Sequence, residues 1–276
     1  MTVKTEGCRV CACADAKPWS EENGFTAVRC LNCSLVYLSP WPNLADRDRA
    51  LQYGAHDGEK TIDTNAKPSG KGLVREYRKV LKDLYGETLN ERSVTWLDVG
   101  CGYGEFLSAL KVTVAAGSSI LGSEPNERKA HYARSQGFDV SYRSLDTLPS
   151  QFTHISLLNV FSHLPEPVEF LAQARDLLVP GGELLIQTGN GGDIDRSDLP
   201  GELWFPDHLI FGGRPTLNFV VDALGMTIEK VSAYRFPRLT PANVAKDLAK
   251  RAVRRDYNPV RWRGPSRTVW LRAKKL

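Results

Sequence analysis

Hydrophobic positions change their period along the chain. Between residues 71 and 85, Leu73, Val74, Tyr77, Val80, Leu81 and Leu84 recur at three- and four-residue intervals, which predicts a helix with one apolar face. From residue 94 onward the apolar residues gather in short runs rich in β-branched and aromatic side chains, at 94–99, 120–123, 138–142, 154–160, 183–188, 226–234 and 267–273. These predict strands. Helical patterns fall between and beyond them, at 105–111, 127–135, 167–178, 215–224 and 241–254. Such alternation predicts an α/β domain with a mainly parallel sheet covered on both faces. The pattern divides the chain into three segments. Residues 1–45 form a cysteine-bearing module, 46–90 a polar linker followed by a packing helix, and 91–276 the α/β domain.

With 42% hydrophobic and 25% charged residues, the composition is that of a soluble globular chain and excludes collagen-like or disordered classes. No run approaches 18 consecutive apolar residues, and the opening residues lack the apolar core of a secretion signal. A cytoplasmic protein without membrane insertion is therefore expected. Thiols stay reduced there, so the cysteines are read as metal ligands, catalytic groups or core residues before disulfides. The net charge of +4 is unevenly placed: residues 246–276 hold eleven Lys or Arg against Asp247 and Asp256, leaving the rest of the chain acidic. A solvated face is the expected meaning of that tail, ahead of an anionic partner.

Cys8 and Cys11 form one C-x-x-C pair, and Cys30 and Cys33 a second one 18 residues later. Two such knuckles joined by a short hairpin match a four-thiolate zinc site, closed and therefore structural. Cys13 competes with Cys11 on spacing alone. Cys8 and Cys11 are favoured because they mirror Cys30 and Cys33.

After the first strand of the α/β domain comes Leu97-Asp98-Val99-Gly100-Cys101-Gly102-Tyr103-Gly104-Glu105. Its glycines permit a sharp turn and close approach to a ligand at the carboxyl edge of the sheet. The spacing is G-x-G-x-G, one residue short of the dinucleotide fingerprint, and Asp98 would repel a pyrophosphate while suiting an amine. Twenty residues beyond Gly104, Glu124 ends the second strand, where a carboxylate can accept hydrogen bonds from ribose hydroxyls. These features call for a nucleoside with free ribose hydroxyls, an amine and no phosphate, and S-adenosylmethionine fits all three. Asp98, Gly100, Gly102, Tyr103, Gly104, Glu124 and Asn159 are its expected contacts.

At these residues the chain resembles the class I methyltransferases that use that cofactor. Residues 96–107 look like their first motif, 152–164 with Pro165-Glu166-Pro167 like their fourth strand and its loop, and 178–184 like the turn into their fifth strand. The resemblance implies a Rossmann-like seven-stranded sheet. Cysteine knuckles ahead of this domain are similar to a bacterial subgroup acting on small molecules, sugars included, whose H-L-x-F-F-like stretch is matched by Asp207-His208-Leu209-Ile210-Phe211. Two positions depart from the subgroup: Thr153 stands where Asp is common, and Ser162 where Glu is common, which leaves His163 without an evident orienting partner.

His163 and His208 both fall on the carboxyl side of the sheet and are the candidate general bases, since an imidazole with pKa near 6.5 suits proton abstraction at neutral pH. His208 is preferred, with Trp204, Phe205 and Phe211 excluding water around it and Asp207 or another carboxylate holding its second nitrogen. Asn190 could orient an acceptor oxygen. His154 reads as core. The expected function is methyl transfer to a small molecule, by preference a hydroxyl of a sugar or natural-product precursor. One alternative is an RNA methyltransferase that grips phosphates with the cysteine module and basic tail. It is disfavoured because Arg9, Lys17 and Arg29 are offset by Asp15, Glu21 and Glu22, so nucleic acid is not an expected partner. A non-enzymatic scaffold is the other alternative, opposed by the intact glycine loop and Glu124.

Overall fold

The computed structural model describes residues 2–43, 68–142, 144–149, 151–199, 203–234 and 268–276, together with 245, 248–249 and 252–253. The expected helix over 241–254, most of the polar linker and most of the basic tail lie largely or wholly outside these residues.

The α/β domain carries β5 (Thr95–Val99), α2 (Glu105–Lys111), β6 (Ser119–Ser123), α3 (Glu127–Ser135), β7 (Asp139–Val140), β8 (Phe152–Leu158), α4 (Pro167–Asp176) and β9 (Leu178–Gly189). Ahead of it runs α1 (Lys71–Tyr85), and after it come β10 (Ile210–Phe211), α5 (Arg214–Ala223), β11 (Met226–Tyr234) and β12 (Thr268–Lys275). Seven strands form one sheet in the order β11-β12-β9-β8-β5-β6-β7. All pairs from β9 through β7 are parallel, and β12 lies antiparallel between β9 and β11. This is the Rossmann-like methyltransferase sheet that the motifs implied.

Alternate residues of its central strands serve two cores. Trp96, Leu158, Leu185 and Trp270 pack with Val80, Leu81 and Leu84 of α1 and with Phe106, Ala109 and Leu110 of α2. Leu97, Val99, Leu157, Ile186 and Leu271 face the other way, toward Leu171 of α4 and Leu217 and Val220 of α5. The periodic face of α1 is thus its buried face. Two elements differ from their expected lengths. β7 has two residues, and β9 begins at Leu178 because Leu178 already pairs with Phe152 of β8, the Pro-Gly-Gly turn being accommodated in a register shift before His154 pairs with Glu183.

The N-terminal segment folds as β1 (Val3–Lys4), β2 (Asp15–Glu22), β3 (Phe25–Cys30) and β4 (Val36–Leu38). β2 and β3 form the expected hairpin, closed by Asn23 and Gly24, both with positive φ. The segment does not stand apart. β10, from the stretch after β9, pairs with β4 and completes a five-stranded sheet. Cys30, Leu35 and Tyr37 share one continuous apolar cluster with Ile155, Phe161 and Leu217. At the junction Gly192 lies against backbone of both Ser34 and Gly212, where an added Cβ would come within 2.9 Å of either. No helix among the described residues is long and apolar enough to cross a membrane.

Candidate active site

The glycine loop leaves β5 with positive φ at Gly100, Gly102 and Gly104. Gly100 has a second constraint, because a Cβ there would sit 2.5 Å from Val160 Cγ2. Glu124, buried at the end of β6, closes the loop: Oε2 accepts from Gly102 N–H at 2.8 Å and Oε1 from Asn126 N–H at 2.9 Å. Asp98 and Ser156 are paired neighbours on β5 and β8, and this register builds a relay in which Trp96 Nε1 donates to Ser156 Oγ at 2.9 Å and Ser156 Oγ to Asp98 Oδ1 at 2.6 Å. Burial pushes the Asp98 carboxyl up to about 7; Ser156 draws it down and the charge of Glu124 raises it further. Neither carboxylate forms an ion pair with Lys or Arg among the described residues.

A cleft of about 830 Å3 opens above the carboxyl edge and brings together Asp98, Gly100, Gly102, Glu124, Asn159 and His163. Asn159 ends β8 with φ 59°, a conformation its side chain tolerates. Tyr103, Gly104 and His208 do not line this cleft. Tyr103 instead meets Tyr132 edge-on, and its hydroxyl is buried without a partner. Tyr77 and Lys129 do line the cleft, and no motif pointed to either.

The two candidate bases are neighbours, their ring centroids 4.9 Å apart. His163 faces the cleft together with Asp207, while His208 packs edge-on against Phe211 at 5.5 Å. The expected partners are thereby exchanged. Asp207 serves His163, through its backbone O at 2.8 Å and its carboxylate at 3.6 Å, and so supplies the carboxylate that Ser162 lacks. His208 Nδ1 bonds to Leu203 O at 2.8 Å. A carbonyl only accepts, so both Nδ1 atoms carry hydrogen and both Nε2 atoms keep the lone pair. Burial, and then His163, hold His208 below the usual imidazole range. Phe205 is buried and Trp204 exposed, so only part of the expected aromatic wall encloses His208. Thr153 joins β5 and β8, accepting from Thr95 N–H at 3.0 Å, and His154 stacks flat on Trp96 at 4.5 Å. Asn190 is buried, and it does not line the cleft.

The Sγ atoms of Cys8, Cys11, Cys30 and Cys33 all lie within 4.8 Å of one another, with Cys8 to Cys33 at 3.4 Å and Cys11 to Cys30 at 3.5 Å. Zinc–sulfur bonds of about 2.3 Å in a tetrahedron place sulfurs roughly 3.8 Å apart, close to this arrangement. Asn32 N–H donates to Cys30 Sγ at 3.4 Å, as a knuckle requires. Burial pushes the Cys30 thiol up to about 12, while the hydrogen bond with Cys33 holds the Cys8 thiol down to about 6; a bound cation would favour the thiolate form of all four. Cys13 turns away, toward Asp15 O at 3.7 Å, and is not part of the cluster.

Residues 72–230 match the profile of a family described as a methyltransferase domain, and the chain belongs to that family. The fold is shared with a SAM-dependent methyltransferase from Archaeoglobus fulgidus, at 19% identity and TM-score 0.53, over 73% of this chain and 94% of that one. A putative sarcosine dimethylglycine methyltransferase from Galdieria sulphuraria overlays with the same identity and TM-score, over 73% of this chain and 86% of its own. Among curated proteins, similarity extends to ubiquinone biosynthesis O-methyltransferases of Pseudomonas paraeruginosa, 30% identical over 35% of this chain, and Dinoroseobacter shibae, 32% identical over 34%. The chain spans less than half the length of these relatives, 44% and 40% respectively.

Proposed function

We propose that this protein transfers the methyl group of S-adenosylmethionine to an oxygen of a small-molecule acceptor. The observation that carries the reading is one cleft lined both by two buried carboxylates, Asp98 and Glu124, with no ion-pair partner among the described residues, and by the His163–Asp207 pair. The two carboxylates fit the cofactor: Asp98 suits its amino group, and Glu124 retains lone pairs for ribose hydroxyls beside the backbone bonds it already accepts. When bound there, S-adenosylmethionine supplies an electrophilic methyl group on a sulfonium. His163, with hydrogen on Nδ1, offers Nε2 to take the acceptor hydroxyl's proton as the new C–O bond forms and the C–S bond breaks. Alignment of acceptor and methyl in the cleft supplies much of the remaining acceleration.

The names of the ubiquinone relatives favour oxygen as the acceptor atom. A sugar or natural-product precursor is the acceptor class we favour, on the resemblance to the small-molecule subgroup. We assign a structural zinc to Cys8, Cys11, Cys30 and Cys33. RNA is disfavoured as a substrate because the module's arginines are engaged internally: Arg9 pairs with Glu166, and Arg29 is buried against Asp195 and the carbonyl of Gly191. Formation of S-adenosylhomocysteine with panels of sugar and phenolic hydroxyl acceptors tests the reading. His163→Ala should lower turnover about 100-fold while S-adenosylmethionine affinity stays within about twofold. A wild-type chain that prefers NAD by calorimetry would overturn the cofactor assignment.

A further inference from the structure

Glu22 ends β2, 181 residues away in sequence from the stretch that it touches. Its Oε1 accepts from the backbone N–H groups of Leu203 at 2.9 Å, Trp204 at 2.7 Å and Phe205 at 3.4 Å, and Oε2 from Leu203 at 2.8 Å. Three successive donors thus converge on one carboxylate, a built anion cradle. The neighbouring Asn23 Nδ2 donates to Phe205 O at 2.9 Å. The cradled turn holds Trp204 at φ 65°, a left-handed conformation that a bulky residue keeps only when its surroundings enforce it.

The same turn carries the histidine pair. Leu203 O accepts from His208 Nδ1 at 2.8 Å, Trp204 O accepts from His208 N–H at 3.0 Å, and Asp207 O accepts from His163 Nδ1 at 2.8 Å. Released from Glu22, the turn would lose the acceptor for three N–H groups and the frame that orients both rings. We propose that Glu22 is a positioning residue for the part of the cleft that His163 lines, acting through the 203–205 turn to set His208 behind the cleft wall and, next to it, His163 in the cleft. The inference rests on the methyltransferase reading for its catalytic meaning. It gives the N-terminal module a role in the reaction besides holding metal.

The charged and titratable groups around His208 are His163, Asp207 and Glu22, of which the two carboxylates favour its protonation. The five histidines of the full-length chain are few enough to follow individually by long-range proton–nitrogen NMR. Glu22→Ala should move the imidazole signals of His163 and His208 and lower the His208 titration midpoint. His131, His154 and calorimetric S-adenosylmethionine affinity should stay as in the wild type, the last within about twofold. Glu22→Gln keeps an oxygen acceptor without the charge. It should restore the Nδ1–H signal of His208 while the lowered midpoint persists. Unchanged His163 and His208 signals in Glu22→Ala overturn the proposal. So does a change in all the histidines together with lost cofactor binding, which marks general unfolding. A wild-type chain that binds no S-adenosylmethionine overturns the methyltransferase reading and leaves the imidazole result to decide the role of Glu22 in the site's geometry.

Discussion

Asp98 is a cleft carboxyl held far from its ordinary environment by burial. Its carboxyl, near 3.8 in an unfolded chain, is pushed up to about 7 in the folded protein. The folded state therefore holds a proton that the unfolded chain has lost, and the stability contributed by this site declines as pH rises from about 4 through 7. Binding of a cationic amine has the opposite sign, because it needs the carboxylate. S-adenosylmethionine affinity should rise with pH up to about 7, by as much as tenfold per unit below that point, and then level off. Calorimetric titrations at pH 6 and 8 check this, and Asp98→Asn should flatten the profile. Glu124 presents a different case, since its two oxygens already hold the N–H groups of Gly102 and Asn126. Glu124→Ala should weaken cofactor binding by about 1.5 to 3 kcal/mol through lost bonds to a charged group. Equal affinity in wild type and variant would remove Glu124 from the ribose site.

At the scale of elements, the link between the cysteine module and the histidine pair is β4 pairing with β10, continued by Leu38 N–H to Leu209 O at 3.1 Å and Leu209 N–H to Ser162 O at 2.8 Å. Thr216 Oγ1 donates to Cys33 O at 2.9 Å, which ties α5 to the second knuckle. If the knuckles hold zinc as proposed, Cys30→Ser should release it and also raise amide hydrogen exchange across 203–211, beyond the module itself. Retained protection there with metal absent would show that the two sheet edges hold without the knuckles. The same elements mark what the sequence could disclose. The glycine loop, the cysteine pairs with a short hairpin between them and the apolar face of α1 are local patterns, each with its own chemistry, and they are legible in the sequence; the Asn23-Gly24 turn that closes the hairpin is seen only in the structure. β4 and β10 have three and two residues and exist through each other, so neither carries a period to read. The exchange of partners at His163 and His208 was likewise hidden, because it depends on how the 203–208 turn folds back, and that turn is held by Glu22 from the other end of the chain.

For the whole molecule, the shared core argues that the module and the methyltransferase domain unfold as one unit. Independent domains have separate cores and few contacts across a linker. Here Leu35, Val36 and Leu38, fully or almost fully buried, belong to the same cluster as Ile155, Ile186 and Leu271 of the large sheet. Hydrogen bonds also tie the N-terminal sheet to the stretch after β9: Glu22 accepts from Trp204 N–H, Asn23 donates to Phe205 O and Arg29 to Gly191 O. Thermal unfolding should then give one calorimetric transition, with calorimetric and van't Hoff enthalpies in agreement. If the four cysteines hold zinc as proposed, a chelator would strip the cation that offsets their charge. If that costs about 4 kcal/mol, the transition should move down as a whole by roughly 8 to 16 °C for a chain of this size class. Its enthalpy should also fall, because the positive heat-capacity change makes unfolding at a lower temperature less endothermic. Two resolved transitions, of which only the smaller responds to the chelator, would instead make the cysteine module an independent domain docked on the methyltransferase sheet.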